Sequence, residues 1–127
     1  MYVETDFLLA LAKPDDWLSE RAEAFLDTDT DLQTSILALA EFLVVSHRHD
    51  IDHRSAVAYL TKALDVPYED EQLALNAAIA MEEEGATAFD ALHAAKADQL
   101  GVPLLGSDGV YDDLGVPRVP LEPTGED

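Results

Sequence analysis

Glu41 is the only polar residue in the run ILALAEFLVV, and Asp90 is the only charge in ATAFDALHAA. Asp108 follows the apolar segment PLL through a Gly-Ser pair, and Glu4 and Asp6 flank Thr5 where an opening strand is predicted to meet a helix. The chain has 27 Asp and Glu residues. Most sit among polar neighbours, as in Asp27-Thr28-Asp29-Thr30-Asp31, where solvated surface is the expectation. The five singled out differ because their surroundings predict burial, and an uncompensated buried carboxylate must be paired, protonated or bound to a metal. Only seven basic side chains exist, none within four residues of Glu41 or Asp108. One divalent cation compensates several acids at once. Carboxylates without thiolate or imidazole make a hard-oxygen site suited to Mg²⁺, with Mn²⁺ as substitute. A carboxylate-held magnesium that keeps its waters points to phosphoryl or phosphodiester chemistry.

Each acid also has a plainer role open to it. Asp6 can cap the helix after it, and Thr87-x-x-Asp90 matches a capping box. Asp108 can cap the turn that follows, and Glu41 can bond a helix N-terminus.

The elements that must bring these acids together are short. Tyr2-Val3, Leu32-Gln33-Thr34, Val66-Pro67-Tyr68, Pro103-Leu104-Leu105 and Arg118-Val119-Pro120-Leu121 read as strands. Between them, helical spacing and caps predict helices at 7–12, from Asp15 or Asp16 to 26, and at 36–47, with Asp6, Asp15 or Asp16, and Ser35 as their N-caps. Further helices are predicted at 52–64, 69–84 and 88–100, with a helical turn over 108–114; Gly85 and Gly101 close the helices before them. Strands alternating with helices argue an α/β domain, a small central parallel β-sheet flanked by helices on both faces. In such sheets ligands gather beyond the carboxyl ends of the strands. That is where Glu4 or Asp6 and Asp108 fall, with Glu41 and Asp90 near the starts of apolar helices.

Composition bounds the rest. A length of 127 residues predicts one domain, residues 1–121, with 122–127 a frayed tail. The net charge is −20, with 48% hydrophobic residues and no cysteine, which excludes a disulfide scaffold, a thiolate zinc site and a cysteine nucleophile. The ten-residue apolar run is half of what a bilayer span needs, and the first residues lack a basic signal region. A soluble cytoplasmic protein is expected. Acids spread along the whole chain, with three lysines, fit a protein kept hydrated in molar salt, where self-repulsion is screened within about 3 Å; a halophilic cytoplasm is the reading. His47, His49 and His53 are expected at the surface, Trp17 in the core or at a partner interface, and Asp112 in solvent.

In order along the chain, VETDFLLALA, LALAEFLVV, FDALHAAKA and LLGSDGVYDDLGV resemble the segments of the PIN-domain family, the fold of VapC-type toxin ribonucleases, over residues 1–121. The first departs from the family's Asp-Thr-Asn or Asp-Thr-Ser: Glu4 stands at the usual first ligand and Asp6 at the Asn/Ser position. Gly106 likewise stands where a threonine is common. The resemblance implies an endoribonuclease dependent on Mg²⁺ or Mn²⁺ that hydrolyses RNA phosphodiester bonds with metal-activated water. Its metal-binding and catalytic residues would be Glu4 or Asp6, Glu41, Asp90 and Asp108. It also implies a homodimer and a small antitoxin partner. Lys13, Arg48, Arg54, Lys96 and Arg118 are the candidates for RNA contact. The competing reading is an inactive PIN-like scaffold working through protein contacts, since Glu4 is atypical and basic residues are scarce.

Overall fold

The computed structural model describes residues 1–28, 31–107, 109–121 and 123. Apolar spacing and local stop signals set its helices: α1 Thr5–Ala12, α2 Ser19–Thr28, α3 Ile36–Ser46, α4 His53–Ala63, α5 Tyr68–Glu84, α6 Ala88–Leu100 and the short α7 Val110–Asp113. Two strands, β1 Leu104–Gly106 and β2 Arg118–Pro120, pair in parallel with Leu105 opposite Val119. Near the N-terminus the predicted strands shrink to single parallel bridges, Tyr2 with Gln33 and Gln33 with Asp65. The strand expected over Val66–Tyr68 is therefore displaced to Asp65, and Tyr68 already begins α5.

Helices α5 and α6 end where expected, because Gly85 and Gly101 adopt φ of 68° and 69°, a left-handed turn that side chains resist. Three caps differ from expectation. Helix α1 starts at Thr5, two residues early, with Glu4 rather than Asp6 as its cap: the Glu4 carboxylate accepts from Asp6 N at 3.2 Å. Asp16 accepts from Leu18 N at 2.8 Å, but α2 proper starts at Ser19. Ser35 precedes α3 without capping it; Asp70 of α5 accepts from Ile36 N at 3.1 Å instead. Asp52 caps α4 by accepting from Ser55 N, and that hydrogen bond holds its carboxyl below the usual range.

The core lies between α1, α3, α4, α5 and α6, around the fully buried Leu8, Leu39, Phe42, Leu43, Val57 and Leu60. Where α5 meets α6, Ala74, Ala77, Ala78 and Ala91 are completely buried; small side chains let the two backbones approach. A second cluster of Ala94, Ala97, Tyr111 and Val116 seats the β1–α7–β2 segment on α6. Trp17 is 88% exposed, so it belongs to no core. Among the described residues no helix is long and apolar enough to cross a membrane.

Candidate active site

The site is built from two long-range hydrogen bonds. Thr5 is 4% exposed, at the first turn of α1, and its hydroxyl donates to the Glu41 carboxylate of α3. The same oxygen lies 3.4 Å from the carbonyl of Ala38, one helical turn before Glu41. On α6, Asp90 is half-buried and accepts from the Tyr111 hydroxyl of α7 at 3.4 Å. Tyr111 is buried, so its ring ties α7 to the face of α6 that carries Asp90.

Glu41 corrects one expectation. The apolar run around it predicts burial, yet its side chain is exposed, as is Leu37 one turn earlier. That stripe of α3 stays open beside the first turn of α1, whose Thr5 bonds Glu41. With Tyr2, Glu4, Thr5, Val44 and Phe89 it lines a cavity of about 530 Å³. Glu4 and Glu41 thus open onto one space, and Asp90 is the neighbour in sequence of Phe89, which closes that space from α6. Glu4 also lines a smaller cavity of about 210 Å³ between α1 and α2, shared with Asp6, Leu18, Arg21 and Phe25. Glu4 therefore stands between the two cavities. Asp108 lies outside the described residues. Among the described residues no three His, Asp or Glu side chains gather closely enough to hold a metal ion. The structure brings together Glu4 with Glu41, and Glu4 with Asp6; Asp90 stands apart beside the rim of the larger cavity.

Sequence reasoning missed three residues here. Thr5 stands between two acids in the sequence, and nothing there marks its hydroxyl as what fixes Glu41. Tyr111 carries no motif that would announce a bond to a residue 21 positions earlier. Arg21 was passed over, yet its guanidinium stacks 5.2 Å from the centroid of Phe25 and faces the cavity of Glu4 and Asp6. The i, i+4 spacing of Arg21 and Phe25 on α2 was the available signal.

Several of the expected RNA-contacting cations are committed elsewhere. Arg118 donates to the Gly106 carbonyl at 2.8 Å and pairs with Asp112 at 3.3 Å, with only 11% of its side chain exposed. Asp112 is therefore an ion-pair partner rather than merely solvated. Arg54 sits 3.9 Å from Glu83, and Lys96 donates to Gln99 at 2.9 Å. His53 is buried, against expectation. Its Nδ1 lies 3.0 Å from the buried Ser46 hydroxyl, its backbone N–H donates to Glu82 at 2.8 Å, and its ring stacks on His47. Burial pushes its pKa below the usual histidine value, against the opposing pull of Glu82.

Compared with families of known proteins, residues 1–116 match the PIN domain. The chain belongs to the PIN-domain family. The α/β fold with its small parallel sheet is the fold of that family. No curated protein sequence matches the chain. Among solved structures it is similar to the crystal structure of Mycobacterium tuberculosis VapC20, titled a sarcin-ricin loop cleaving toxin. The two share 22% identity over 96% of this chain and 98% of that one, with a TM-score of 0.43.

Proposed function

We propose that this PIN domain is a divalent-metal-dependent endoribonuclease of the VapC type, with residues 1–121 as its functional unit. The observation that carries the reading is the exposed Glu41 carboxylate, fixed by the buried Thr5 hydroxyl and opening with Glu4 onto one cavity. The donor set suits the ion. All the candidate ligands are carboxylate oxygens, the choice of Mg²⁺ and Mn²⁺, and magnesium keeps most of its waters, needing only one or two protein carboxylates plus substrate phosphate. Glu41, Asp90 and either Glu4 or Asp6 would hold it directly or through its waters, and Asp108 would complete the site. When bound, it supplies positive charge at the phosphate and lowers the pKa of water.

The chain's own residues do the positioning. Thr5 holds the Glu41 carboxylate in one rotamer, and Tyr111 restrains Asp90, so neither acid must be ordered when substrate arrives. Arg21, steadied by Phe25, lines the cavity it shares with Glu4 and Asp6 and is suited to a backbone phosphate. The excess of acids fits a halophilic cytoplasm, and a homodimer restrained by a small antitoxin completes the proposal.

The test is Mn²⁺ calorimetry in molar KCl beside an RNA cleavage assay, on the wild type and Asp90→Asn. The salt suppresses loose cation binding to the acidic surface. One saturable site and cleavage, both lost in Asp90→Asn while the melting temperature holds, is the expected result. Equal Mn²⁺ binding and no cleavage by either protein would overturn the nuclease reading and favour a scaffold.

A further inference from the structure

We infer that the larger cavity is a subsite for one unpaired nucleobase next to the bond that is cut, with Tyr2 and Phe89 as its stacking faces. The inference rests on the nuclease reading, because it concerns the substrate of that site. Its first ground is position: the cavity holding Glu4 and Glu41 is rimmed by Tyr2, Leu37 and Phe89, which are 57%, 77% and 56% exposed. These large side chains stay open to solvent around carboxylates, and whatever brings a phosphate to Glu41 must lay its adjoining group there. Its volume of about 530 Å³ lies within the range of small-ligand sites.

The second ground is that both rings are held. The Tyr2 hydroxyl is 2.9 Å from the Ser35 hydroxyl, and the Phe89 ring packs on the His93 ring with centroids 6.4 Å apart. Held rings give up little freedom on stacking. The third is electrostatic: away from a held cation the two carboxylates lining the cavity repel a phosphate, whereas a neutral base stacks on a ring whatever their charge. Among the lining side chains the Thr5 hydroxyl is already engaged by Glu41. The cavity therefore selects for the presence of a ring more than for its identity, and purines, with the larger face, are preferred over pyrimidines.

The experiment uses short single-stranded RNAs carrying one 2-aminopurine, titrated into the full chain in molar KCl with Ca²⁺ in place of Mn²⁺ to slow cleavage. Stacking quenches the fluorescence. Phe89→Leu and Tyr2→Leu keep apolar bulk at exposed positions and should keep the melting temperature. Each should relieve the quenching and weaken binding roughly 5- to 150-fold, the usual worth of one stacked base, and Phe89→Trp should restore it. In the cleavage assay the loss should appear in KM more than in kcat. Cleavage with unchanged kcat/KM in both leucine variants would overturn the subsite and leave the nuclease reading intact. Quenched binding without cleavage by the wild type would overturn the nuclease reading and with it the subsite beside a cut bond, leaving a base-stacking site alone. Full RNA cleavage in the leucine variants, with loss of binding to a purified partner protein, would overturn the subsite and assign the cavity to a protein side chain.

Discussion

Replacing Thr5 with valine removes one hydroxyl from the buried first turn of α1 and leaves its shape nearly intact. The hydroxyl has one strong acceptor, the Glu41 carboxylate, and a longer contact of 3.4 Å to the Ala38 carbonyl. Because Glu41 is exposed, water replaces the lost donor, so the stability cost is that of an ordinary net hydrogen bond, about 1 kcal/mol. For a chain of this size that is a fall in melting temperature of about 4 °C. The functional cost is expected to be larger in relative terms. A freed Glu41 samples other rotamers, and displacing a reacting group by about 1 Å costs up to roughly 100-fold. Thr5→Val should therefore lower kcat/KM for RNA by about 10- to 100-fold and weaken Mn²⁺ binding, while Thr5→Ser, which keeps the donor, recovers most of both. Calorimetry with Mn²⁺ and cleavage of single-stranded RNA, both in molar KCl, measure the two effects. Wild-type Mn²⁺ affinity and cleavage in Thr5→Val, alongside the expected melting shift, would make the hydrogen bond structural only. A serine variant as weak as the valine one would refute the role of the hydroxyl.

Arg21→Gln should weaken RNA binding and make the log–log salt dependence shallower by about 0.7, the share of one phosphate contact on a single strand; Arg54→Gln, whose cation already faces Glu83, should leave the slope unchanged. Asp70→Ala removes the acceptor for Ile36 N at the start of α3 and should cost about 1 kcal/mol in thermal melts, with Asp70→Asn losing less. Folded His53 resists protonation because it is buried, so the unfolded chain takes up the proton first as pH falls. Its contribution to stability is complete above about pH 6.5, the ordinary histidine value, and declines below it. Melting temperatures of His53→Gln, followed from pH 7.5 to 5, should fall less steeply than those of the wild type; parallel curves would refute this.

What was legible in the sequence was local. Helix α6 runs from Ala88 to Leu100 as expected because its stop is written in one residue, Gly101, and the same holds for α5 and Gly85. The caps that failed were those whose partner is distant. Ile36 N finds Asp70, 34 residues on, and nothing near Ser35 says that its hydroxyl will turn to Tyr2 instead. The five acids stand out in the sequence by the contrast between a charge and its neighbours, but for Glu41 that contrast predicts burial where the structure has exposure. A helix apolar on every side carries no mark of which side faces a protein core and which a cavity. Leu37 and Glu41, one turn apart, fall on the open side. His53 shows the same limit from the other direction: three histidines within seven residues look like surface, and only the fold puts one of them against Ser46 and Glu82.

On the proposed nuclease reading, a chain of net charge −20 cannot bind RNA by the usual means, an array of lysines and arginines that releases counterions. Of its seven basic residues, Arg54 faces Glu83, Arg118 is built into the β1–α7–β2 corner, and Lys96 is turned to Gln99. On the same reading, most of the binding energy would come from terms that salt screens weakly: ligation of phosphate through a carboxylate-held cation, and stacking of a base on a ring. The two cavities that meet at Glu4 offer that division, one with Arg21 beside the acids and one rimmed by Tyr2 and Phe89. The same logic would make so acidic a surface tolerable in the proposed nuclease. On that reading the charge would repel an RNA backbone away from the proposed ion, and productive contact would be confined to the acids that Thr5 and Tyr111 hold in place.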